Sequence, residues 1–347
     1  MKNKFLFFIT FTLLVTASFI SCGPLMQKPI PRSDNAADFI DSQKHFELTR
    51  EIIPYYNTLY FTDGQGYEFK NDTSDKLFIT LGGGPNWFGS RVGVPGREIN
   101  NSNFVNWLLF LYDEYTIFVP EKFDWGRGSL PFYDIENREK YTIDNLIANY
   151  AGVIKEYLSQ NDYKTIIIAG FSEGGQIAPE LFFHLEDFDI TALISIGAGG
   201  LSSPNDIAIA TIRPQEVLSE ESIKIRLNNY HQHLAAYGNE NYANSPDEIR
   251  FRQSGANAFF TTLMWEYSIN ARRPFEFYKN INIPVLFIHG QQDTNVSVVS
   301  TRYVERNLPD KPFTYVYYPD MAHYPDTIGE LKRLRADIAA WLRAEGL

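Results

Sequence analysis

The sequence predicts an α/β fold: a mostly parallel, doubly wound sheet carrying an inserted helical cap. Two observations predict the sheet. Short, near-continuous apolar runs recur at Leu77–Leu81, Thr165–Ala169, Ala192–Ile196 and Val285–Ile288, as strands buried on both faces do. Stretches with helical spacing of apolar residues separate them, the alternation of a parallel sheet covered on both sides. One observation predicts the cap. More than eighty residues lie between the runs ending at 196 and starting at 285, with helical character and no clear strand. That is too long for an ordinary connection, and 201–280 is read as a lobe inserted over the sheet.

The chain begins with an address. Lys2 and Lys4 precede an uncharged apolar run, Phe5 to Ile20, and then Ser21-Cys22-Gly23-Pro24. A short positive region, an apolar stretch and small residues form a secretory signal, and the run falls short of the about 20 residues a bilayer span needs. Phe19-Ile20-Ser21-Cys22 resembles a bacterial lipoprotein signal, with Phe19 where Leu is usual. In such a signal the cysteine is acylated and becomes the new N-terminus, so Cys22 is the expected lipidation site. An uncleaved N-terminal anchor is the alternative. Both readings put the body outside the cytoplasm and beside a membrane. Residues 22–50 read as a tether and lead-in.

After the tether, Tyr55–Tyr60 and Tyr67–Lys70 flank Asp63-Gly64-Gln65-Gly66, a hairpin pattern. Tyr115–Val119 is a further strand. Ile143, Leu146, Ile147, Tyr150, Ile154, Tyr157 and Leu158 mark a helix over 141–160, with Thr142 at its cap position. Helices are also expected over 175–185, 297–307 and 327–344, with a strand at Phe313–Tyr318. The core thus divides into 51–200 and 281–347 around the cap.

Composition narrows the function classes. With 44% hydrophobic residues the 347-residue chain can bury a large core. Lys and Arg number 31 against 42 Asp and Glu, and Lys2 and Lys4 are the only charges in the leader, so the remainder carries −13 rather than −11. An anionic body argues against nucleic-acid binding, which needs a cationic surface. Cys22 is the single cysteine, which rules out an intrachain disulfide and a cysteine-based zinc site. With 27 Phe, 21 Tyr and 5 Trp, any cavity should be aromatic-lined.

The chemistry concentrates at strand ends. Gly170-Phe171-Ser172-Glu173-Gly174-Gly175 follows the 166–169 strand and opens a helix. A strand turning sharply into a helix holds its serine in a strained conformation with the hydroxyl projecting outward, and small residues two positions either side let the turn close. A serine hydroxyl needs an imidazole to take its proton and a carboxylate to orient that imidazole. His323 is the last histidine, just past the 313–318 strand; Asp293 sits on the loop after the 285–288 strand. Taken singly, Asp293 would be a helix N-cap and His323 a loop residue. Asp320 is the rival acid, close enough to His323 to require an unusual turn. Gly82-Gly83-Gly84-Pro85-Asn86 follows the 77–81 strand, where glycines let main-chain N–H groups approach a developing oxyanion. No lysine with serine or threonine follows these glycines, which rejects a nucleotide-binding loop.

These motifs together resemble the α/β-hydrolase superfamily over roughly 55–345. The resemblance implies Ser172 as nucleophile, His323 as base, Asp293 as orienting acid, Gly84 and Glu173 as oxyanion donors, and no cofactor or metal. The chain departs from the family in lacking a histidine before the glycines and in its acidic Glu173. The glycine loop and Asp124-Trp125-Gly126-Arg127-Gly128-Ser129 are similar to segments of the proline iminopeptidase branch, as is Trp265-Glu266. There the carboxylate binds a free amino group; an exposed glutamate on a cap helix is the alternative for Glu266. The expected substrate is a small ester or amide, with an aminopeptidase activity or a non-catalytic binding role on the same scaffold as alternatives. His231 and His233, two apart, read as cap surface, and Arg272-Arg273 as a solvated turn before Pro274.

Overall fold

A computed structural model describes residues 56–83, 103–121, 142–237 and 268–347. Eight strands form one sheet: β1 (Asn57–Phe61), β2 (Gly64–Phe69), β3 (Lys76–Leu81), β4 (Thr116–Pro120), β5 (Thr165–Phe171), β6 (Ile190–Ile196), β7 (Val285–Gly290) and β8 (Phe313–Tyr318). Their order is β1-β2-β4-β3-β5-β6-β7-β8. The β1–β2 and β2–β4 pairs are antiparallel, and every pair from β4 to β8 is parallel.

Both faces of the sheet are buried, because alternate residues of each central strand feed different cores. In β3, Leu77, Ile79 and Leu81 join one cluster and Phe78 the other. The first cluster is closed by α2 (Ile143–Ser159) and α3 (Glu173–His184) through Leu146, Tyr150, Ile154, Ile177 and Leu181. The second is closed by α1 (Asn103–Leu108) and by α8 (Ile328–Glu345), through Phe104, Trp107, Leu334 and Trp341. Thr142 caps α2 by accepting from the Asn145 N–H at 3.2 Å. Thr327 and Glu330 form a reciprocal capping box on α8.

The hairpin differs in detail from expectation. Gly64 and Gly66 lie within β2, and the turn is shortened to Thr62-Asp63. Gly66 is small for a packing reason: a Cβ there would sit 2.5 Å from the Phe118 ring on β4. A glycine in a strand can mark close approach as well as a turn.

Between β6 and β7 the described residues form α4 (Pro204–Ile212), α5 (Glu221–Tyr237) and the single turn α6 (Phe275–Tyr278), with no strand among them. Arg272 and Arg273 are not a solvated turn. The Arg273 side chain is fully buried: Nε donates to Asp206 on α4 (3.0 Å), Nη2 to Ser222 on α5 (2.7 Å), and Nη1 to the Ser219 carbonyl (3.0 Å). Arg226 makes a two-pronged pair with the same Asp206, both bonds at 2.9 Å. Arg272 bridges Glu180 on α3 (3.0 Å) and Asp144 on α2 (2.5 Å), and Tyr230 of α5 donates to Asp144 as well. Residues that read as solvated because they are charged and precede proline instead tie α4 and α5 to the core, since a guanidinium can be buried when every donor finds an acceptor.

Candidate active site

The turn from β5 into α3 has the geometry its sequence requires. Ser172 has φ 54° and ψ −116°, and it is the one non-glycine residue with positive φ among the described residues. Such backbone is costly for a residue with a Cβ and persists only where its surroundings enforce it. The enforcement is visible. The Ser172 N–H donates to the Ile196 carbonyl (2.9 Å), and its own carbonyl accepts from the Gln176 N–H (3.0 Å). A Cβ at Gly170 would lie 2.3 Å from the Gly174 carbonyl oxygen, and one at Gly174 would lie 2.2 Å from the Leu81 oxygen. No larger residue fits at either position, two before or two after the serine. Glu173 opens α3 with its side chain buried, so its main chain belongs to the electropositive helix N-terminus.

Sheet order brings the other two residues together. β7 and β8 pair in parallel up to Gly290 opposite Tyr318, so the loops after both strands leave the same edge side by side. Main-chain bonds lace them: the Gln291 N–H to the Tyr318 carbonyl (2.9 Å) and the Gln292 N–H to that of Met321 (3.0 Å). Asp293 and His323 then meet, His323 Nδ1 lying 2.7 Å from Asp293 Oδ2. The hydrogen on Nδ1 leaves Nε2 of a neutral ring as the acceptor. Asp320 is exposed; the histidine is bonded to Asp293. The His323 ring lies against that of Phe171, the residue before Ser172, with centroids 4.9 Å apart.

Asp293 uses its two oxygens for different tasks. Oδ1 accepts from the N–H groups of Asn295 (2.8 Å) and Val296 (2.9 Å), which folds its own loop. Oδ2 accepts from His323 and, at 3.2 Å, faces Nε2 of His289. Burial alone would raise its pKa. The hydrogen bonds from His289 and His323, the charge of His323 and the Val296 N–H outweigh burial and hold the carboxyl well below the usual carboxylate range. It is an anion at any pH where the imidazole acts as a base.

His289 carries no role in the sequence reading. Its ring is fully buried at the end of β7, with Nδ1 2.7 Å from the Thr301 hydroxyl and Nε2 2.8 Å from the Val296 carbonyl. Nε2 faces a carbonyl and a carboxylate, both acceptors, so Nε2 carries hydrogen. The four-residue spacing from His289 to Asp293 was visible in sequence, but the end of a strand followed by a loop has no fixed period that would pair them. Gly84, Trp265, Glu266, Cys22 and the 124–129 segment lie outside the described residues. Among the described residues no group of three or more His, Cys, Asp and Glu could hold a metal.

Two solved structures share this architecture. An esterase from Exiguobacterium antarcticum superposes with a TM-score of 0.50 at 13% identity, over 84% of this chain and 100% of that one. Est1E from Butyrivibrio proteoclasticus gives 0.52 at 16% identity, over 83% and 98%. The chain has the α/β-hydrolase fold. Within that fold, Ser172 directly follows the central β5, and Asp293 and His323 lie on the loops after β7 and β8. A stretch of 75 residues is 35% identical to a protein of Bacillus subtilis described as an uncharacterized peptidase, YtmA; it spans 21% of this chain and 28% of the relative. No family model matches the chain.

Proposed function

We propose that the protein is a serine hydrolase that cleaves a small ester or amide through an acyl-enzyme. Ser172 is the nucleophile, His323 the general base and Asp293 the acid that orients it. The observation that carries this reading is the strained, positive-φ Ser172 at the β5–α3 turn, one residue from the ring against which the Asp293-bound imidazole packs. In the first half-reaction Ser172 Oγ attacks the carbonyl and its proton passes to Nε2 of His323. The carbon–heteroatom bond breaks, and the proton goes to the leaving group. Water repeats the path to release the acid. The oxyanion is assigned to the main-chain N–H groups of Glu173 and Gly84.

The peptide-bond reading has specific support in the 75-residue likeness to a protein described as a peptidase. In that version Glu266, beside Trp265, would hold the substrate's ammonium group. A fluorophosphonate probe should label the wild type and not Ser172→Ala; failure to label the wild type would leave a binding protein on this scaffold. An ester panel run beside a free-amino prolyl amide separates esterase from aminopeptidase, and loss of only the amide activity in Glu266→Gln would assign the ammonium anchor.

The 201–280 segment is proposed as the specificity-setting cap. Residues 1–21 are proposed as a signal peptide and Cys22 as an acylated anchor, placing the enzyme outside the cytoplasm on a membrane. Cys22→Ala should move the protein from the membrane fraction to the soluble one; unchanged fractionation would reject lipidation.

A further inference from the structure

We infer that Phe171 is a positioning residue whose ring sets His323 and the glycine loop after β3 around Ser172 and supports the charged imidazole while it returns a proton to the leaving group. The inference rests on the hydrolase reading above. Phe171 is the last residue of β5 and its ring is almost completely enclosed. Two glycines make its slot. A Cβ at Gly83 would fall 2.8 Å from Phe171 Cδ1 and 2.8 Å from Ser172 Cβ. A Cβ at Gly197 would fall 3.3 Å from Phe171 Cε2, 3.4 Å from His323 Cε1 and 3.2 Å from the His323 carbonyl oxygen. Gly197 also has φ +58°, a conformation glycine adopts without steric cost.

Two buried rings of α1 hold Phe171 from the remaining side. Phe104 stacks on it at 5.7 Å with planes 28° apart, and Trp107 meets it edge-on at 5.0 Å and 74°. One side chain therefore touches the glycine loop, the end of β6, α1 and the imidazole. Leucine would fill much of the same volume. It would not offer an aromatic ring with its centroid 4.9 Å from that of the imidazole, the planes tilted by 43°, within the about 6 Å over which a ring attracts a cation. That attraction exists only while His323 holds the proton taken from Ser172. The imidazolium forms in the attack on either ester, but it must persist through bond cleavage only where the leaving group needs that proton, so the attraction matters most for such substrates.

The test compares two esters of one acid, a p-nitrophenyl ester, whose leaving group departs unprotonated, and a simple alkyl ester, whose leaving group must be protonated. For wild type, Phe171→Leu and Gly197→Ala, kcat/KM is divided by the fraction of molecules that a fluorophosphonate labels, which removes misfolded protein from the comparison. Phe171→Leu should lose roughly tenfold on the alkyl ester and less than about threefold on the nitrophenyl ester. Gly197→Ala, which keeps Phe171 but crowds both rings, should shift the ratio the same way and decides the matter if Phe171→Leu does not fold. Equal losses on both esters, or a loss that vanishes once the rates are divided by the labelled fraction, would reduce Phe171 to core packing and overturn the inference. A wild type that takes no label would overturn the hydrolase reading itself, a distinguishable result.

Discussion

His289 and His323 approach one oxygen of Asp293 from two sides, at 3.2 and 2.7 Å. The other oxygen folds the loop on which Asp293 sits. The carboxylate is thus fixed by its own loop and by the buried His289 ring before it orients the partly buried His323, which is what a group that must hold an imidazole in one tautomer requires.

Asp293→Asn should therefore cost about 10³–10⁴-fold in turnover. Asp320→Asn, changing an exposed side chain, should leave kcat within about twofold of wild type on the same ester. A large loss in Asp320→Asn and a small one in Asp293→Asn would reverse the assignment of the acid.

The same carboxylate links stability to pH. Its folded pKa lies below the unfolded value of about 3.9. The stabilisation is therefore complete above that unfolded value and is lost as pH falls from about 4 towards the lower folded value. Unfolding by urea between pH 5 and 2.5 should show a steeper loss in the wild type than in Asp293→Asn, which has no proton to bind there. Parallel curves would mean that the carboxylate is not held this way.

Arg273 is the centre of the network that ties α4 and α5 to the core. Arg273→Met leaves Asp206 buried with one partner fewer, and the expected loss is about 3–5 kcal/mol. Adding Asp206→Asn should deepen the loss, because the same carboxylate also holds Arg226 through two bonds at 2.9 Å. Denaturant midpoints of the two variants measure both effects.

Pro179 lies inside α3 and has no N–H for the carbonyl of Gly175, four residues back. The buried Tyr278 hydroxyl donates to that carbonyl at 3.5 Å, from a turn a hundred residues away. Tyr278→Phe should destabilise by about 1 kcal/mol, read as a lowered thermal midpoint. No change would show that the long bond contributes nothing.

The order of strands and helices, the strained serine turn and the strand-end positions of Asp293 and His323 could be read from the chain alone. Each is a local signal, carried by apolar period, by glycines two residues from Ser172, or by a polar residue just past an apolar run. The partner of His323, the burial of His289, Arg272 and Arg273, and the setting of Phe171 were decided only by the tertiary structure. Each depends on which strand lies beside which: β7 beside β8 brings Asp293 to His323, and β5 beside β6 brings Phe171 to Gly197. Charge and spacing say that an arginine or a histidine will need partners; only the packing of distant segments says whether those partners are water or protein.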